Sequence, residues 1–138
     1  MGQEFRRQFL IRNVSTLILA VRNISKGEQA KTTILADPEV QKLQTRADVR
    51  VMRFDAASYQ SIKDFATQVK QELSQLHVLM LNAGANGLSF RKTEDSHEET
   101  LQVNHLANAL LLFELLPLLE RTASVAGSPT RVSATGSR

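Results

Sequence analysis

Two spacings of apolar residues alternate along the chain. Thr16 to Val21 (Thr-Leu-Ile-Leu-Ala-Val) is an apolar run without polar alternation, which predicts a strand buried on both faces. Val49 to Phe54 repeats the signal more weakly, with Val49, Val51 and Phe54 set among arginines. Val78 to Leu81 is a third buried run, and Thr130 to Thr135 reads as a fourth strand. Between the strands the spacing changes to three and four. A helix is expected from a Ser25 cap to about Leu35, stopped by Asp37-Pro38. Ser58 caps a second, in which Ile62, Phe65, Ala66, Val69, Leu73 and Leu76 form an amphipathic stripe. Ser96 and Glu99 make a capping box for the longest helix, expected to run to about Glu120, with Pro117 kinking or ending its last turns. Gln3 to Ile11 is helix-like but has no strand before it, as though the chain starts in mid-motif.

Strands alternating with helices imply right-handed βαβ crossovers and a parallel sheet, so the fold class is α/β. A length of 138 residues suits one domain with a real core. Hydrophobic residues at 42% and charged residues at 22% set the chain apart from disordered compositions. The lack of cysteine excludes a disulfide framework, a thiolate zinc site and a cysteine nucleophile. His77, His97 and His105 have no spacing suited to a shared metal, so no metal site is expected. The net charge is +3, but the positive residues are scattered among 14 acidic ones, which argues against nucleic acid as a partner. Leu101 to Leu119 is the most apolar region, yet Gln102, Asn104, His105, Asn108, Glu114 and Pro117 interrupt it, which argues against a membrane span. Residues 1–12 carry no signal-peptide core, and a cytoplasmic location is expected.

Three groups of residues could carry chemistry. Asn82-Ala83-Gly84 follows the third buried run directly, and ligands of open α/β sheets lie outside the carboxyl ends of the strands. The same three residues also read as an ordinary strand-ending turn. Asn104 and Asn108 lie four apart in the long helix, where a buried amide needs partners from backbone, water or ligand. A structural asparagine tying a neighbouring backbone kink fits that pattern equally well. Arg22 stands just past the first strand and Asp55 just past the second. A guanidinium there suits a 2′-phosphate, whereas an acid would suit a free ribose hydroxyl, so the chemistry leans to NADP over NAD. Both are also ordinary surface charges near strand ends.

Together these residues resemble the short-chain dehydrogenase/reductase family, in its retinol-dehydrogenase-like branch and with the flavour of fungal members of specialised metabolism. Thr16 to Asn23 with Lys26-Gly27-Glu28 is similar to the family's second strand and the basic turn that receives NADP. Phe54-Asp55 resembles the end of strand three, whose aspartate contacts the adenine. Leu81-Asn82-Ala83-Gly84 matches the Asn-Asn-Ala-Gly motif with Leu81 in place of the first Asn. Leu101 to Leu106 puts Asn104 at the active-site asparagine that holds a water in the proton relay, and Arg131 to Ser137 puts Ser137 at the catalytic serine. The resemblance therefore implies cofactor contacts from Arg22, Asp55, Asn82, Ala83 and Gly84, and catalytic roles for Ser137 and Asn104. It implies NADP-dependent hydride transfer between a carbonyl and an alcohol of a small molecule.

The departures are as specific. No glycine loop of the T-G-x-x-x-G-x-G kind is present, and only Gly2 could stand for its last glycine. No Tyr-x-x-x-Lys follows Ser137; Tyr59 and Lys63 have that spacing but lie in another helix. The chain then reads as residues 1–138 of a single incomplete Rossmann-like domain, lacking the first strand and the C-terminal strands. In the doubly wound order 3-2-1-4-5-6 the missing first strand is central, so both neighbours expose unpaired backbone. Such a chain is expected to be inactive alone, and poorly stable, oligomeric or associated with a full-length relative. The competing reading is a non-catalytic remnant acting as an interaction partner. Transcript encoding a glycine loop upstream and Tyr-x-x-x-Lys downstream favours the enzyme, and flanking stop codons favour the remnant.

Overall fold

In the computed structural model the described residues are 8, 10, 14–42, 46–85, 87, 89–127 and 130–134. They divide into two compact units, Met1–Phe54 and Asp55–Arg138.

The first unit is a βαβ crossover. Strand β1 (Thr16–Val21) pairs in parallel with β2 (Asp48–Arg53), Thr16 opposite Asp48 and Val21 opposite Arg53. Helix α1 (Ile24–Leu35) and the short α2 (Pro38–Lys42) lie between them in the chain. A parallel pair needs such a crossover because a tight turn cannot reverse the chain twice. The cap of α1 is Asn23, two residues earlier than the Ser25 expected from sequence: its extended backbone lets Oδ1 accept Lys26 N–H at 3.0 Å. Asp37 ends α1 and also starts α2, its Oδ1 accepting the N–H of Glu39 at 2.9 Å. Pro38 then occupies a first-turn position, where its missing N–H costs nothing.

Leu10, Leu19, Ile34, Val40 and Val49 form the core of this unit, with Leu17 and Val51 packed beside them. Burial on both faces of β1 is not what the structure shows. Leu19 is buried while Ala20 is exposed, because the ladder has two strands and α1 covers one face. Gly27 sits where α1 meets that face. A Cβ there would lie 2.5 Å from Val51 Cγ1 and 2.8 Å from Val21 Cγ2, so the helix approaches the strands at a distance only glycine permits.

The second unit carries α3 (Tyr59–Glu72), β3 (Val78–Leu81), α4 (Glu99–Leu101), a π turn (Gln102–Leu106), α5 (Ala107–Ala126) and β4 (Arg131–Ala134). Strands β3 and β4 run parallel, Val78 opposite Arg131 and Leu81 opposite Ala134. Ser58 caps α3 as its sequence position implies, accepting Ser61 N–H at 3.3 Å. Ile62, Phe65, Ala66 and Val69 are buried along one face of α3, which packs on α5. From α5 the facing residues are Ala107, Leu111, Leu115 and Leu118, and Lys70 adds an ion pair to Glu114 at 3.3 Å. By length and composition alone the helix Glu99–Val125 could cross a membrane. Part of it packs on α3.

Two expectations about the long helix are corrected. Its cap is Glu98 rather than Ser96 with Glu99, because Ser96 takes a left-handed φ of 65° and turns away from the helix start. Pro117 does not end it, and the helix continues to Ala126, where Gly127 closes it with φ 60°. The proline removes a hydrogen bond to the Phe113 carbonyl on the solvent side, where Phe113 is 70% exposed and water can replace the donor.

Among the described residues the strands form two separate parallel ladders, β1-β2 in the first unit and β3-β4 in the second.

Candidate functional site

The residues singled out from sequence fall in both units. In the first, Arg22 follows β1 directly and is exposed at the bend leading into α1. Lys26 lies in the first turn of the same helix, and its backbone N–H is taken by the Asn23 cap. Asp55 opens the second unit half-buried. Its carboxylate accepts Ala57 N–H at 3.0 Å and its own N–H donates to Ser61 Oγ at 3.0 Å. These bonds build the turn into α3, so Asp55 has a structural task at its strand end.

Asn82, Ala83 and Gly84 continue from the carboxyl end of β3, with Asn82 and Gly84 exposed and Ala83 half-buried. The next residue meets the long helix. Asn104 Oδ1 accepts Ala85 N–H at 2.7 Å, and Asn104 Nδ2 donates to the Ala85 carbonyl at 3.0 Å. One side-chain amide thus satisfies both backbone groups of one residue, which holds the strand-end segment against the helix. Of the two roles open for Asn104, the structure displays the backbone tie. Asn108, four residues on, donates its Nδ2 to the Asn104 carbonyl at 3.0 Å. Ser137 lies outside the described residues.

The helix changes geometry at this point. Gln102 to Leu106 form a π turn in which Ala107 N–H reaches the Gln102 carbonyl. Such turns insert one extra residue and are common beside functional sites. The interruption of the apolar run by polar residues was the visible signal, but it pointed equally to Gln102, Asn104, His105 and Asn108. Gln102, which sequence reasoning passed over, is fully buried. Glu98 was missed as well: its carboxylate accepts Thr100 N–H at 3.0 Å and Leu101 N–H at 2.7 Å. Those two backbone donors hold the Glu98 carboxyl below the ordinary glutamate value.

Tyr59 and Lys63 keep their Tyr-x-x-x-Lys spacing in α3. Tyr59 starts α3, its N–H donates to Asp95 Oδ2 at 2.8 Å, and its ring lies 5.7 Å from that of His97. Among the described residues no cluster of three or more His, Asp or Glu could hold a metal ion.

A short chain dehydrogenase family model matches residues 1–133. The chain is 41% identical to the short chain dehydrogenase macD of Penicillium terrestre and to the short-chain dehydrogenase/reductase tropG of Talaromyces stipitatus, each over 100% of this chain and 42% of the relative. It therefore spans less than half the length of these relatives. Among solved structures, the RhlG/NADP active-site complex of Pseudomonas aeruginosa superposes with a TM-score of 0.75 at 24% identity, covering 99% of this chain and 50% of that one. The NADH-dependent reductase A1-R′ complexed with NAD superposes with a TM-score of 0.70 at 16% identity, covering 99% of this chain and 54% of that one. By its sequence from residue 1 to residue 133, the chain belongs to the short-chain dehydrogenase family of oxidoreductases, which bind nicotinamide cofactors and act on small molecules.

Proposed function

We propose that the chain is part of an NADP-dependent carbonyl/alcohol oxidoreductase of fungal specialised metabolism, cytoplasmic, and that these 138 residues alone do not turn over substrate. One observation supports the choice of NADP. The residue after β1 is an exposed arginine, Lys26 stands in the first turn of the adjoining helix, and Ala20 and Val21 supply no acid at the strand end. A guanidinium matches a phosphate through paired hydrogen bonds, whereas ribose hydroxyls call for a carboxylate. Arg22 and Lys26 would hold the 2′-phosphate, Asp55 would face the adenine, and the backbone of residues 82–84 would lie along the cofactor.

When bound, the nicotinamide supplies or accepts the hydride that interconverts carbonyl and alcohol. The chain's own residues orient. Asn104 fixes Ala85, and with it the strand end at which ligands of open α/β sheets lie. Ser137 would donate a hydrogen bond to the substrate oxygen. Tyr59 begins α3 rather than a helix that follows Ser137, and it is not assigned the proton-donor role. The fungal origin of the 41%-identical relatives supports the metabolic setting. The edges of β1 and β3 away from their partners support association with a second copy or with a full-length relative.

Ligand-observed NMR with NADPH and NADH at equal concentration tests this reading. A stronger signal from NADPH that is lost in Arg22→Ala is the expected result. Equal signals from the two nucleotides in the unaltered chain would overturn the choice of NADP, and carbonyl reduction by the 138-residue chain would overturn its inactivity.

A further inference from the structure

Gln102 is an amide at 0% exposure in an apolar stretch of helix, and the reading above gives it no task. Burying an amide is costly unless both of its ends are bonded. Here both are: Oε1 accepts the Thr93 hydroxyl at 2.5 Å, and Nε2 donates to Asp95 Oδ2 at 2.7 Å. The same carboxylate oxygen receives Tyr59 N–H, so this anchor is itself tied to the first residue of α3. Thr93 and Asp95 are held in turn by a tight loop in which Thr93 N–H reaches the His97 carbonyl and Ser96 N–H the Thr93 carbonyl.

Gln102 is also the first residue of the π turn, and its carbonyl accepts the wide hydrogen bond from Ala107. Two positions later Asn104 closes on Ala85. Each residue of a helix turns the next side chain by about 100°, so moving the turn by one position would swing Asn104 away from Ala85. We propose that Gln102 is a positioning residue of the candidate site: clamped between Thr93 and Asp95, it holds the π turn that lays the Asn104 amide on the backbone of Ala85. The link to function rests on the reading of the β3 strand end as a cofactor wall, while the clamp can be tested without nucleotide.

The test is amide hydrogen exchange on the 138-residue chain, followed by NMR at two backbone amides that are bonded to side chains of the same helix. Ala85 N–H reports on Asn104, and Leu76 N–H, held by Thr122 at the other end, is the internal control. In Gln102→Leu, Ala85 should exchange about tenfold faster or more while Leu76 keeps its rate. Asp95→Asn retains an acceptor oxygen and should leave Ala85 protected. Should Gln102→Leu fail to fold, Thr93→Val removes one anchor and decides alone, with Ala85 again expected to open ahead of Leu76. An unchanged Ala85, or equal acceleration at both amides, overturns the proposal. Because no nucleotide is present, that outcome is separate from a failed NADPH titration.

Discussion

The hydroxyl of Thr122 accepts the backbone N–H of Leu76 at 2.8 Å and donates to the Leu118 carbonyl at 2.6 Å. Thr122 is fully buried, and Arg121 beside it reaches the Ser74 carbonyl at 3.3 Å. The segment entering β3 is thus fastened to α5 by two adjacent residues. Thr122→Val keeps the shape but leaves the Leu76 N–H without an acceptor. A loss of about 1–3 kcal/mol is expected, read by denaturant unfolding, with Thr122→Ser recovering most of it. Equal stability of the valine and threonine forms would show that the hydroxyl contributes only packing.

At Gly27 two effects oppose. Alanine favours an α-helix over glycine by about 1 kcal/mol. The added Cβ, however, meets β-branched methyl groups of Val51 and Val21 at 2.5 and 2.8 Å, and neither side chain can swing clear. Overpacking of this kind costs about 1–3 kcal/mol, so Gly27→Ala should destabilise. Pairing it with Val51→Ala removes the nearest methyl, and the double variant should lose less than the two single losses added together. Thermal unfolding of the four forms checks the cycle.

For Asn104, removal exposes the cost of an unanswered backbone. Asn104→Ala leaves both the N–H and the carbonyl of Ala85 to find water, and a loss of about 1–2 kcal/mol is expected. Asn104→Asp keeps one acceptor but sets a carboxylate against the Ala85 carbonyl, so it should rescue little. If aspartate proved as stable as asparagine, the second hydrogen bond would be without consequence.

Glu98 makes the start of the long helix sensitive to acid. Its folded-state carboxyl titrates below its unfolded value, so its contribution is present above the ordinary glutamate value of 4.5 and is lost as the pH falls through the lower folded one. Protection factors at Thr100 and Leu101, taken against the intrinsic exchange rate at each pH, should fall over that acid range. Glu98→Gln should flatten the dependence, and an identical acid response in that variant would assign the effect to another group.

Pro117→Ala restores a donor for the Phe113 carbonyl within a helix that already runs past this point. With Phe113 exposed and Pro117 at the surface, little packing is at stake. Stability should rise by about 1–3 kcal/mol, measurable as a higher unfolding midpoint.

The strands and the core helix were legible because their signals are collective. Thr16 to Val21 and Val78 to Leu81 are observed with the same limits as the apolar runs, and Ile62, Phe65, Ala66 and Val69 are buried as their spacing implies, whereas Leu73 and Leu76, expected in the same stripe, lie past the end of α3 at Glu72. Local choices among chemically equivalent groups were not legible. Asn23 and Ser25 can both cap a helix, as can Ser96 and Glu98, and backbone dihedrals decide between them: Asn23 and Glu98 are extended, whereas Ser96 is left-handed. The π turn left no periodic trace, since one inserted residue alters a pattern of three and four too little to be seen. Asn104 stands out by its place in an apolar run and is found bonded to Ala85 after β3, but the partners of Gln102 lie seven and nine positions back, in a loop with no periodicity.

The register of β3 against β4 also constrains how the chain finds its structure. Residue 78 pairs with residue 131, so the loop, π turn and long helix all lie within the stretch of chain that this ladder closes. Residue 16 pairs with residue 48 across a much shorter crossover. Distant pairings carry more closure entropy and form later. The β3–β4 ladder is therefore expected to close late in the folding of its unit, with the cost of that closure set by the long stretch of chain between its strands.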